Sequence, residues 1–166
     1  SFDPALPNDL VIYAALTEAK KLGITRVMTG DGADELFAGY AYLQTLAPEA
    51  LAAYSRAIAS TMQFSSNKLG AALGLKIQQP FCDSALVDVA LALSPEVKVR
   101  ERAGVVHGKW LLRRAFEAEL GELAWRAKDP IEVGSGAAQL RAVIRSRISD
   151  TAFEAKKRAY KLAFMN

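Results

Sequence analysis

The residues most able to do chemistry lie in one short run, Gly30-Asp31-Gly32-Ala33-Asp34-Glu35-Leu36-Phe37-Ala38-Gly39-Tyr40. Carboxylates as close in sequence as Asp31, Asp34 and Glu35 repel one another unless a cation or a proton comes between them. Magnesium suits such a site, because it takes oxygen from one or two carboxylates and completes its shell with water and phosphate. A cation among Asp31, Asp34 and Glu35 is therefore the natural third party. The plainer alternative is that Asp31 caps a helix and that Asp34 and Glu35 decorate its first turn, where the helix dipole favours acids. The second candidate is Lys128, within Arg-Ala-Lys-Asp-Pro-Ile-Glu-Val-Gly-Ser-Gly over 126–136. An ammonium on a flexible stem in a Pro/Gly-containing loop reaches phosphate oxygens as a mobile point charge. An exposed loop lysine without a role is the alternative. Together, an acidic magnesium-type site and a mobile basic loop point to a nucleotide-dependent reaction.

Other chemistries fail on residue type or spacing. The Gly30 run lacks the third glycine of a dinucleotide fingerprint, and Glu35 in its place would repel a pyrophosphate. Gly104-Val-Val-His-Gly-Lys-Trp110 is one residue short of a Walker loop and has Trp110 where Ser or Thr must meet magnesium, so Lys109 reads as the opening of a helix. With one histidine, His107, and one cysteine, Cys82, the chain has too few soft ligands for a Cys/His zinc site and no internal disulfide. His107 reads as a surface or satisfied core residue and Cys82 as a small buried hydrophobe. The 21 Lys and Arg against 18 Asp and Glu, a formal net charge of +3, do not call for a nucleic-acid partner. The basic run from Arg141 to Lys161 reads as a solvated helical face. No apolar stretch approaches a membrane span, and Ser1-Phe2-Asp3-Pro4 has neither region of a signal peptide, so a cytoplasmic protein is expected.

The elements that must position these residues are mostly helical. Asn8 or Asp9 can cap a helix through about Leu22, stopped by Gly23. Residues 24–28 read as one short strand running into the Gly30/Gly32 turn, and a helical pattern resumes at Ala33. Further helices are expected over Pro48 to about Ser60, from the cap Asp83 through Leu93, from Lys109 to Leu120 before Gly121, over Ala137–Ile148, and over Thr151–Phe164 with Asp150 as cap. A single strand cannot make a sheet, so the chain is either an all-helical domain with one extended segment or part of something larger. Its 166 residues, 51% hydrophobic, are expected to form a single domain.

At these same residues the sequence resembles the synthetase domain of the asparagine synthetase family. Met28-Thr-Gly-Asp-Gly-Ala-Asp-Glu-Leu-Phe-Ala-Gly-Tyr40 is similar to that family's signature. Ser1-Phe2-Asp3-Pro4 resembles the acidic stretch ahead of it, and Gly74-Leu75 through Pro80-Phe81-Cys82-Asp83 resembles its Gly-Leu-Glu-Val-Arg-Val-Pro-Phe-Leu-Asp block. Lys109-Trp-Leu-Leu-Arg-Arg-Ala-Phe116, with Trp125-Arg126-Ala127-Lys128 and Gly134-Ser135-Gly136, resembles its Lys-x-x-Leu-Arg region and lysine-glycine loop. The resemblance implies an α/β fold of the adenine nucleotide alpha hydrolase kind, of which residues 1–166 would be the C-terminal portion. It also implies ATP-dependent amide formation, in which a carboxylate such as aspartate is adenylated and ammonia from a glutaminase domain then attacks. By that likeness Gly30, Asp31, Gly32 and Asp34 would contact ATP and Mg2+, Asp34 and Asp31 would hold the metal, Glu35 would serve as acid/base or positioning group, and Lys128 would stabilise phosphate charge.

Two departures shape the expectation. The family's Ser-Gly-Gly-x-Asp-Ser loop for ATP is not among these residues, so the chain by itself is expected to be incomplete for catalysis. Lys76 and Gln78 stand where the family has Glu and Arg, which suggests a removed ion pair or an altered substrate pocket. The alternatives are a related ligase with another carboxylate substrate, or a non-catalytic helical module that hides the flank of its strand in a homo-oligomer.

Overall fold

The computed structural model describes residues 7–164. The Ser1-Phe2-Asp3-Pro4 stretch and the side chains of Arg141, Arg145, Lys157 and Lys161 lie outside the described residues. No described helix is long and apolar enough to cross a membrane. The chain divides into two compact units, one comprising the residues up to Thr25, Ser65–Leu75 and the chain from Asp129 onward, the other Arg26–Phe64 and Lys76–Lys128.

In the first unit, α1 (Pro7–Lys21) packs against α4 (Ser65–Leu73) and against α8 (Ile131–Gly134). The helix starts ahead of the Asn8/Asp9 cap expected for it, with Pro7 at a first-turn position where its missing N–H is not needed. It ends as the sequence indicates: Gly23 turns left-handed at φ +75, its N–H bonds Lys20 O at 3.0 Å, and Ile24 N–H reaches back to Ala19 O at 3.0 Å. Leu16 and Leu69 are buried in this unit. The 126–136 stretch, expected to be irregular throughout, contains the single turn of α8. Helices α9 (Leu140–Arg147) and α10 (Asp150–Phe164) follow. Ser149 rather than Asp150 caps α10, accepting from Ala152 N–H at 3.2 Å.

The second unit holds the charged run. Strand β1 is shorter than the expected 24–28, covering Arg26–Met28, and it is not alone. It pairs in parallel with β2 (Lys76–Gln78), in the register Arg26↔Lys76, Val27↔Ile77, Met28↔Gln78. A parallel pair requires a crossover, here supplied by α2 (Ala33–Leu36), α3 (Pro48–Ala59) and α4 in chain order, which makes the topology α/β. Two more strands, β3 (Arg100–Arg102) and β4 (Val105–His107), form an antiparallel hairpin. The expectation of one strand fails because these strands are three residues long, too short for a period to show. The hairpin turn, Ala103-Gly104, has positive φ at both residues (52° and 79°), a conformation that Asn-Gly would have signalled and Ala-Gly does not. The remaining helices are α5 (Ser84–Ala92), capped by the Asp83 carboxylate on Ala85 N–H at 3.0 Å, and α6 (Trp110–Ala115) and α7 (Glu117–Leu120), which divide the expected Lys109–Leu120 helix at Phe116.

The register bears on the Lys76/Gln78 departure. Lys76 lies directly beside Arg26, both exposed, so the place where the family carries an acid now sets two cations side by side. Lys76→Glu is expected to raise stability by about 0.2–1 kcal/mol through this cross-strand pair. The gain should shrink in high salt. Equal or lower denaturant midpoints for the variant at low salt would show that the register pair contributes nothing.

The core of this unit is built from the acidic run itself. Leu36 and Phe37 are buried with Ala90 of α5, and Met62, Phe81, Val87 and Leu112 pack around them. Ala38 is buried with Leu43 and Leu51, against Tyr40, Tyr54 and Val99. Full burial of a side chain such as Leu36 or Phe37 contributes about 1.5–3 kcal/mol. The apolar residues that follow Asp34 and Glu35 therefore anchor the carboxylates in place.

Candidate functional site

Helix α2 is one turn rather than the longer helix expected from Ala33, and its ends explain where the acids point. Gly32, at φ +92, is its N-cap, and a Cβ there would lie 3.2 Å from Cys82 Sγ and 3.3 Å from Phe81 Cβ. Asp31 is not the cap. Its Oδ2 accepts from Thr29 Oγ1 at 2.7 Å and from Gln79 Nε2 at 2.8 Å, which ties the turn to the segment after β2. The helix ends at Ala38, which is left-handed at φ +56, while Gly39 N–H bonds Asp34 O at 2.8 Å. A residue with a Cβ costs about 1–2 kcal/mol in that conformation, and the burial of Ala38 sustains it.

Asp34 is gripped by two ammonium groups. Lys109 Nζ lies 2.9 Å from Oδ1, near enough for an ion pair though without hydrogen-bond alignment, and Lys128 Nζ lies 3.5 Å from Oδ2. Lys109 reaches Asp34 from an unusual backbone: it is itself left-handed at φ 54, and its N–H donates to Phe37 O at 2.7 Å. Neither Gly39 nor Gly108 has room for a side chain. A Cβ on Gly39 would sit 1.7 Å from Asp34 Oδ1 and 2.5 Å from Lys109 Cε, and one on Gly108 would sit 1.8 Å from Ala38 O. The two glycines let the hairpin exit pass against α2 closely enough for Lys109 to meet the carboxylate.

Glu35, 9% exposed, accepts a hydrogen bond from Tyr40 OH at 2.6 Å. Burial, and then the bond to Glu35, holds the Tyr40 phenol far above its ordinary pKa, so it stays a donor. Lys128 Nζ lies over the Tyr40 ring, 4.9 Å from its centroid, so one ammonium joins the Asp34 carboxylate to the Glu35–Tyr40 pair. Tyr40 stacks on Tyr42, whose hydroxyl is 3.1 Å from that of Tyr54; burial and that contact push Tyr54 up to about 12.

The three acids thus have three sets of partners: Thr29 and Gln79 for Asp31, two lysines for Asp34, and a tyrosine for Glu35. Asp34 and Lys128 are in direct contact, and Glu35 joins them through Tyr40. Gly30 has open space where a Cβ would stand, and Gly32 is packed against Phe81 and Cys82. Cys82, expected to be buried, is half-buried; its Sγ approaches Asp31 O at 3.7 Å, and burial, followed by the charges of Asp31 and Glu35, pushes its thiol pKa up. His107 packs edge-on against Trp125, and burial followed by the charges of Arg113 and Arg102 lowers its pKa. Among the described residues no group of three or more His, Cys, Asp and Glu gathers to hold a metal. The hard oxygen donors of Asp34 and Asp31 still fit magnesium, which needs only one or two carboxylates when phosphates complete its shell.

Sequence reasoning passed over Lys109 and Tyr40. Lys109 reads as a helix start and as the head of the Lys-x-x-Leu-Arg resemblance, and nothing within a few residues of it indicates Asp34. Tyr40 closes the acidic run, and its place five residues beyond Glu35 is no helical neighbour; it reaches the carboxylate only because the chain reverses at Ala38.

Comparison with known proteins supplies the family. The chain belongs to the asparagine synthase family, matching it over residues 4–65 and 49–166. It is 31% identical to the probable glutamine-hydrolysing asparagine synthetase of Dictyostelium discoideum over 90% of its own length, and 30% identical to the glutamine-hydrolysing asparagine synthetase B of Escherichia coli over 86%. Glutamine-hydrolysing asparagine synthetase 1 of Arabidopsis thaliana is 36% identical over 60% of the chain. The chain spans 30%, 27% and 18%, respectively, of the lengths of these relatives.

Proposed function

We propose that these residues form the C-terminal portion of a cytoplasmic asparagine synthetase-like ligase with the adenine nucleotide alpha hydrolase fold, which joins ammonia to a carboxylate, aspartate by analogy with the relatives, at the expense of ATP. The observation that carries this reading is the contact of Lys128 with Asp34 beside the Glu35–Tyr40 pair. In the first step a carboxylate oxygen bonds to the α-phosphorus of ATP, the bond to the bridging oxygen breaks, and pyrophosphate leaves. In the second, ammonia adds to the acyl carbon, AMP departs with the bonding electrons, and one proton leaves nitrogen.

The chain's own groups meet the electrostatic needs of both steps. Lys128, held in the ground state by Asp34, can exchange that carboxylate for phosphate oxygens, where it offsets the charge that develops as pyrophosphate leaves. Lys109 stays with Asp34 and limits the repulsion that the half-buried carboxylate would otherwise exert on a polyphosphate. Magnesium, when bound, supplies charge neutralisation on the phosphates, and Asp34 and Asp31 are the residues that would hold it, with the Gly30/Gly32 turn approaching the nucleotide. Glu35, kept in place by Tyr40, is the group to accept the proton from nitrogen. The Ser-Gly-Gly-x-Asp-Ser loop and the glutaminase activity that delivers ammonia would come from parts of the protein beyond these residues.

The test uses the intact protein that contains this chain, supplied with aspartate, ATP, magnesium and ammonium. Pyrophosphate and amide are expected in equal amounts. Glu35→Ala should abolish amide formation while the circular dichroism spectrum is retained. Wild-type turnover in that variant would remove Glu35 from the mechanism, and absence of pyrophosphate release with aspartate or other carboxylates would overturn the proposed function.

A further inference from the structure

We propose that Arg113 is the positioning residue that sets the Lys128 ammonium between Asp34 and the Tyr40 ring. Its guanidinium bridges two segments that approach the acidic run from different directions. Nε donates to Gly108 O at 2.9 Å, while Nη1 donates to Ala124 O at 2.6 Å and to Arg126 O at 3.0 Å. The Gly108 side is already fixed, because Gly108 is pressed on Ala38 O and Lys109 N–H is bonded to Phe37 O. The other side is the chain that leads, two residues further on, to Lys128.

That second segment is anchored on both flanks of its buried residue. Trp125 is 9% exposed, packs on Trp110 and His107, carries Arg102 over its ring at 4.3 Å, and donates from Nε1 to Glu117 Oε1 at 2.7 Å. These contacts fix the indole. The orientation of the backbone around it is set by Arg113, the side chain that takes the carbonyls immediately before and after Trp125. Ala124 is 5% exposed, so its carbonyl would otherwise be left without solvent. A planar fork with donors on opposite edges can hold Gly108 on one side and Ala124 and Arg126 on the other; a lysine has a single donor atom and cannot. Removing the fork frees the chain ahead of Lys128 while leaving Lys109 in place.

The geometry offers a readout that does not depend on activity. Dimethylation with a 13C label keeps the lysine charge, and a methyl group lying over an aromatic face is shifted upfield by the ring current. In the intact protein, the Lys128 resonance, assigned by its loss in Lys128→Arg, is expected upfield of that of the exposed Lys76. In Arg113→Ala it should move to the Lys76 position while the Lys109 resonance changes little, and the melting temperature should fall because the buried Ala124 carbonyl loses its donor. Arg113→Lys, which preserves charge and most of the packing, should give the same shift and serves if the alanine variant does not fold. A Lys128 resonance that keeps its upfield position in either folded variant overturns the proposal.

The activity arm rests on the ligase reading above. There, kcat should fall between about ten- and a hundred-fold with little change in the KM for aspartate, and Arg113→Ala should add nothing in a Lys128→Ala background. Additive losses would mean that Arg113 acts by another route. If the wild-type protein forms no amide, the ligase reading fails alone, and the resonance still decides the role of Arg113.

Discussion

Lys128→Ala is expected to lower kcat by about a hundred- to a thousand-fold in the intact protein, with a much smaller change in KM for the carboxylate. That is the expected result if this ammonium meets charge that develops on the phosphates in the transition state, since loss of one such stabilising donor typically costs about that much. Its resting contact with Asp34 makes the prediction more specific. In the ground state Lys128 neutralises a carboxylate of the protein itself, 3.5 Å away and partly exposed, so that pair by itself contributes little to stability. The variant should therefore melt within a degree or two of the wild type. A large fall in melting temperature with unchanged kcat would identify Lys128 as a structural cation instead. Single-turnover measurement of pyrophosphate release separates loss of adenylation from loss of the later ammonia step.

The second large effect is on stability. Gly108→Ala places a methyl group 1.8 Å from Ala38 O, 2.8 Å from Ala38 C and 2.9 Å from Gln44 Nε2. The first two are backbone atoms of a buried, left-handed residue and cannot swing aside, so the hairpin exit must lift away from α2. Lifting it stretches the Lys109 N–H bond to Phe37 O and separates Lys109 from Asp34. Overpacking with backbone displacement costs about 3 kcal/mol, which for a chain of this size lowers the melting temperature by about 6–12 °C. Gly134→Ala is the control, because a Cβ there meets nothing within 4 Å. Equal melting temperatures for the two variants would refute the close approach of the hairpin exit to α2.

Much of the local structure was legible because the forces that set it act within a turn or two. Gly23 as a helix stop, Asp83 as a cap and the family resemblance of the Gly30–Tyr40 run all follow from residues near one another in the chain. The same range explains the misreadings. Asp31 looks like a cap because a cap is what a local reading offers an acid ahead of a helix; in the structure Gln79 and Thr29 take its carboxylate instead. The single strand seen at 24–28 acquires its partner only when the crossover returns Ile77 beside Val27, and a three-residue strand gives no periodic signal in advance.

By itself, the sequence determined that three acids would crowd one turn, that apolar residues directly after them would bury and anchor that turn, and which family the chain joins. Tertiary structure alone decided which cations answer the acids. Lys109 meets Asp34 because two glycines remove the side chains that would keep the backbones apart, and Lys128 meets it because Trp125 and Arg113 hold a distant segment in register. Charge pairing is blind to sequence separation, and the closure of the chain that brings such groups together is driven by burial of Leu36, Phe37, Ala38 and Trp125 rather than by the charges themselves. The acids could therefore be read one residue at a time, while their partners appeared only when the core that positions them had formed.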